Sequence, residues 1–141
     1  MSDVLSQETF DFVLANELKR AARSQNFVTL VLMEPRVGDR SDAVREIAVL
    51  VSRELRETDL LAAGEGVVSM VLLDTDLQNS GRVIDRVAAR LQNYQFTAPL
   101  DIAVGAACCP TDGADTDTLR RVAMSTRTDL ARRPNRGTAH A

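Results

Sequence analysis

The chain has 141 residues, of which 45% are hydrophobic and 26% charged, with a formal net charge of −3. That length and apolar fraction suit one globular domain with a substantial core and leave too little chain for a second. The mildly acidic balance, with a single lysine, excludes an electrostatic nucleic-acid binder, which needs a basic field to neutralise phosphates.

Gln7 to Arg23 places Phe10, Val13, Leu14, Leu18 and Ala21 at helical spacing and predicts an amphipathic helix. Phe27 to Met33 is a continuous apolar run, as expected of a strand buried on both faces. Ser41 and Asp42 can cap a second helix, whose apolar positions Val44, Ile47, Ala48, Val51 and Leu55 recur every three or four residues. Two short apolar runs then meet at Gly64-Glu65-Gly66, the pattern of a β-hairpin with a tight turn. Asp74 or Asp76 can start a third helix with Leu77, Ile84, Val87, Ala88 and Leu91 on its inner face. Leu100 to Cys108 alternates as a strand, and PTDGADTDTL supplies a turn and caps for a fourth helix to about Arg132.

The predicted order is α-β-α-β-β-α-β-α. It implies an α/β fold with a ferredoxin-like core, in which a sheet of about four to five strands is flanked by helices. One domain is expected over residues 1–133, followed by a polar tail over 134–141. No apolar run reaches the roughly 18 residues that span a bilayer, and the opening MSDVLSQETF lacks the regions of a signal peptide. A cytoplasmic location without a membrane partner is therefore expected. Cys108 and Cys109 are adjacent on a strand, where neighbours face opposite ways, so they are read as small hydrophobes. No zinc-ligand spacing accompanies them, and the one histidine, His140, stands in the terminal tail. Neither a metal centre nor a serine-histidine or cysteine-histidine hydrolase is supported.

The element order and the words within it resemble the GGDEF domain of diguanylate cyclases, which has a palm-like α/β fold. FDFVLANELKRAARSQNFVTLVLME is similar to that family's opening helix and first strand, and RETDLLAAGEGVVSMVLLDTDLQNSGRVIDRVAARL to its hairpin and next helix. LDIAVGAACCPTDGADTDTLRRVA is similar to its later strand, proline turn and last helix.

On this resemblance, the GGDEF signature falls on Glu65-Gly66-Val67-Val68-Ser69. In active relatives the acidic pair, with a first-strand aspartate, holds divalent ions that position GTP. Here the pair is Val67 and Val68, which supply neither charge nor an oxygen ligand. Glu34 takes the first-strand position and Arg36 replaces the second acid there, while Glu65 takes the first glycine's place. Glu34 is expected to end its strand at Pro35, with its carboxylate near the former metal site. The loop Pro35 to Arg40 is shorter than the family's guanine-binding segment, which implies at most a shallow groove beside Glu34. The family's alanine-lysine pair, whose lysine contacts phosphate, corresponds at best to Ala131-Arg132, and its alanine-aspartate pair reads Ala123-Met124. The resemblance thus implies a degenerate, non-catalytic regulatory module without a cofactor. It would act on an unidentified protein partner, homodimerisation being one form of that contact.

Arg56-Glu57-Thr58-Asp59 retains the RxxD pattern of the family's inhibitory cyclic di-GMP site, five residues ahead of the signature, and Arg86 aligns with the arginine that completes it. Cyclic di-GMP is therefore the candidate ligand of Arg56, Asp59 and Arg86. Arg36–Asp39 and Arg82–Asp85 share the spacing, so position alone distinguishes the first match. Arg56 near a helix end and Asp59 bonding the following turn would also serve a purely structural role.

Overall fold

In the computed structural model, which describes residues 3–36, 41–96 and 101–130, the chain forms four helices and five strands. They run α1 (Gln7–Ser24), β1 (Val28–Arg36), α2 (Ser41–Ser52), β2 (Leu60–Gly64), β3 (Val67–Leu73), α3 (Leu77–Asn93), β4 (Asp101–Cys109), α4 (Thr116–Ser125) and β5 (Thr128–Asp129). The strands form one antiparallel sheet in the order β2-β3-β1-β4-β5. The predicted α/β architecture is the observed one. The expected boundary after Arg133, the tail with His140 and the Ala131-Arg132 pair lie outside the described residues.

β1 is the central strand because its sequence can be buried on both sides. Val28 to Met33 are all buried, and strand alternation divides them between two apolar layers. Val31 and Met33 join Ile47 and Val51 of α2 and Val87 and Leu91 of α3. Leu30 and Leu32 join Phe10, Leu14 and Leu18 of α1 and Leu119 and Ala123 of α4. The other strands alternate likewise, Val68, Met70 and Leu72 of β3 facing the α2/α3 layer and Val71 and Leu73 the α1/α4 layer.

The caps follow local chemistry. Asp76, not Asp74, caps α3 by accepting the Asn79 amide at 2.8 Å, while Asp74 occupies the preceding turn with φ +54°. Asp115 caps α4, and the Thr118 amide it accepts holds its carboxyl below the usual range. Cys108 and Cys109 are free and buried, and burial pushes both thiols up, as their reading as small core residues requires.

The fourth helix departs from expectation. It ends at Ser125, not near Arg132. Thr126 Oγ1 bonds the Ala106 carbonyl at 3.2 Å, accepts the Ala106 amide at 3.3 Å and donates to the Ala123 carbonyl at 3.2 Å, fastening the helix end to β4. The chain then turns to add β5 at the β4 edge, where the Leu130 amide donates to the Ile102 carbonyl at 2.7 Å. Hydroxyl side chains that compete for backbone groups are suited to ending a helix in this way.

Candidate functional site

The hairpin between β2 and β3 closes in two residues, Glu65 at φ +57° and Gly66 at φ +77°. Two successive positive φ values match the right-handed twist of the flanking strands, and glycine accepts this conformation without a Cβ clash. Glu65 is exposed at the tip. The valines beyond it are packing residues: Val68 is fully buried opposite Met33, Val67 rests half-buried on the α1/α4 layer, and Ser69 is buried. Strand alternation requires one of two adjacent valines to turn inward, and Val68 does.

Glu34 does not end its strand. β1 continues through Pro35 to Arg36, pairing with β4 as far as Arg36↔Asp101, whereas its pairing with β3 stops at Met33. Proline is accommodated because, among the described residues, no strand pairs with β1 on its β3 side beyond Met33. The Glu34 carboxylate, with its side chain only 14% exposed, accepts a charge-assisted hydrogen bond from Arg127 Nη1. The divalent pair implied by the resemblance does not fit these residues. Val67 and Val68 are apolar, the Glu34 carboxylate carries a guanidinium, and Arg36 pairs with Asp129 at 3.3 Å. Among the described residues no three acidic, histidine or cysteine side chains come together to hold a metal ion.

The expected groove beside Glu34 involves the loop whose residues 37–40 lie outside the described residues. A cleft of about 750 Å³ opens between α2 and the hairpin tip, lined by Ser41, Arg45, Val49, Ala63, Glu65 and Gly66 among others. The cleft went unread in sequence because it is made by helical residues and by the small Ala63-Gly64 pair of a strand that are neighbours only in the folded chain. The signal available was an α2 whose outer face carries Val49, which is 44% exposed.

The RxxD residues form a closed local network. Asp59, whose side chain is 3% exposed, accepts the Arg56 backbone amide at 3.1 Å and Arg56 Nε at 3.2 Å on Oδ2. Its Oδ1 accepts Arg56 Nη2 at 3.0 Å and the Leu73 amide at 3.3 Å. Arg56 Nη2 also donates to the Leu73 carbonyl at 2.7 Å and to Thr75 Oγ1 at 3.1 Å. The pattern thus pins the α2–β2 turn onto the end of β3. Arg86 binds two residues upstream of Arg56, donating from Nε to Glu54 Oε1 at 3.0 Å and from Nη2 to the Glu54 carbonyl at 2.9 Å. Arg90 binds the other Glu54 oxygen at 3.3 Å. Arg56 and Asp59 are thus joined directly, whereas Arg86 reaches the α2–β2 connection through Glu54.

No protein-family model matches the sequence, and no curated protein matches it. Solved structures do. A DGC protein from Thermotoga maritima superposes with a TM-score of 0.77 at 12% identity, over 89% of this chain and 97% of that one. The GGDEF domain of YfiN (TpbB) from Pseudomonas aeruginosa gives 0.76 at 18% identity, over 93% and 96%. The diguanylate cyclase SiaD from the same organism, solved in complex with its activator SiaC, gives 0.71 at 20% identity, over 87% of this chain and 55% of that one. The chain thus has the GGDEF-domain fold. No helix among the described residues is long and apolar enough to cross a membrane.

Proposed function

We propose that this chain is a non-catalytic GGDEF-like regulatory module that acts by contact with another protein. The observation that carries the reading is the hairpin tip: the positions that would hold metal ions are Val67 and the fully buried Val68, set into the apolar layers of an otherwise intact fold. Phosphoryl transfer from GTP needs charge compensation at the phosphate, and two valines provide none. An intact scaffold without that chemistry retains its surfaces, and SiaD, of the same fold, was solved bound to an activator protein. The experiment is calorimetric titration of the protein with GTP, with and without Mg²⁺. The expected result is that any heat of binding is independent of Mg²⁺; affinity that rises with Mg²⁺ contradicts the proposal.

A second reading, as a cyclic di-GMP receptor through Arg56, Asp59 and Arg86, is favoured by one observation. Two guanidinium groups are held on the α2–β2 connection, Arg56 on Asp59 and Arg86 on Glu54, with the Arg56 side chain 59% and the Arg86 side chain 54% exposed. Asp59 already accepts four N–H groups, so the ligand would have to bind chiefly through the arginines. On this reading Arg56→Ala weakens binding by about ten- to a hundredfold, the worth of one charge-assisted hydrogen bond, while Arg82→Ala leaves it unchanged. Equal losses in the two variants, measured by calorimetry, would reduce the effect to nonspecific charge attraction.

A further inference from the structure

We infer that Arg127 is a built-in cation, held on Glu34 where the resemblance implies a divalent ion, and that this pair fastens the strap of residues 126–130 across the sheet to β1. Ala103 pairs with Glu34 on one side and with Asp129 on the other, so these three side chains stand on the same face of the sheet. Arg127, two residues before Asp129, shares that face and must cross β4 to reach Glu34. It crosses at Gly105, where even a β-carbon would lie 3.0 Å from Arg127 Cγ. The guanidinium arrives oriented, because Nε donates to the Met124 carbonyl at the end of α4 at 2.9 Å while Nη1 is on Glu34.

A second pair of reversed polarity, Arg36 on β1 with Asp129 on β5, lies alongside at 3.3 Å. The two differ in exposure. Glu34 and Arg127 are 14% and 27% exposed, whereas Arg36 and Asp129 are 49% and 67% exposed. The inner pair therefore carries the coupling, since solvent screens the outer one. A divalent ion on Glu34 would have to displace a tethered like charge, and displacing it would release the strap. The inference deepens the non-catalytic reading and fails separately from it: cyclic di-GMP synthesis by the parent protein would overturn that reading, whereas uncoupled variants overturn only this one.

The test is NMR on the parent chain and on Glu34→Gln, Arg127→Met and the double variant. Exchange of the Leu130 amide, which bonds Ile102, reports opening of the strap. Each single variant should accelerate it by roughly tenfold, the low end for a charge-assisted hydrogen bond, and the double variant no more than either single. Multiplicative losses in the double variant would overturn the inference. In the parent, which needs no substitution, Mn²⁺ at millimolar concentration should leave the Met33 and Ala103 signals unbroadened; selective broadening there would overturn it as well.

Discussion

Gly105→Ala should lower the melting temperature by roughly 10 °C, because overpacking of this severity costs about 3 kcal/mol, the upper end of its range. A β-carbon at this position would sit 1.9 Å from the Ala123 carbonyl oxygen and 3.0 Å from its carbon. The obstacle is backbone, and it cannot swing aside as a side chain would. Nor is α4 free to retreat: Thr126 bonds Ala106 next to the glycine, and Leu119 and Ala123 are buried in the layer beneath. The same change at Gly81 of α3 is the control. Nothing lies within 4 Å of a β-carbon there, and alanine improves helix propensity by about 1 kcal/mol, so that variant should melt a few degrees higher. Thermal denaturation followed by circular dichroism measures both. Equal melting temperatures would mean that α4 does not approach β4 this closely.

Asp59→Ala should cost about 2–3 kcal/mol in denaturant unfolding, without change in m-value. The substitution leaves the Leu73 amide and the Arg56 amide without the carboxylate they donate to. A fully buried ion pair broken on one side would cost more, but the Arg56 side chain is 59% exposed and can be rehydrated, which discounts its share. Arg56→Ala should be milder, at about 1–2 kcal/mol, since both backbone amides still solvate Asp59. A near-neutral Asp59→Ala would mean that the RxxD residues do not pin the turn and would strengthen the ligand reading.

The sequence made the helices and central strands legible because each buries a side with its own period. Phe10, Leu14, Leu18 and Ala21 are the buried face of α1, and Val28 to Met33 are buried without interruption. The burial of one of the two valines was equally legible, because strand alternation alone requires it. What the sequence concealed rests on distant partners. The end of α4 depends on Gly105 and Ala106 of another element, and the fate of Glu34 on Arg127, 93 residues away. The RxxD spacing was visible, but the tie of Arg86 to Glu54, 32 residues upstream, was not. Pro35 read as a strand end because the local rule for proline is strong; it is relaxed where, among the described residues, no strand pairs with β1 on its β3 side beyond Met33.

The most direct measurement is chromatographic assay of cyclic di-GMP after prolonged incubation of the purified chain with GTP and either Mg²⁺ or Mn²⁺. With Val67 and Val68 in the packed layers and Glu34 bound to Arg127, no product is expected with either ion. Product exceeding one molecule per protein chain would contradict the account.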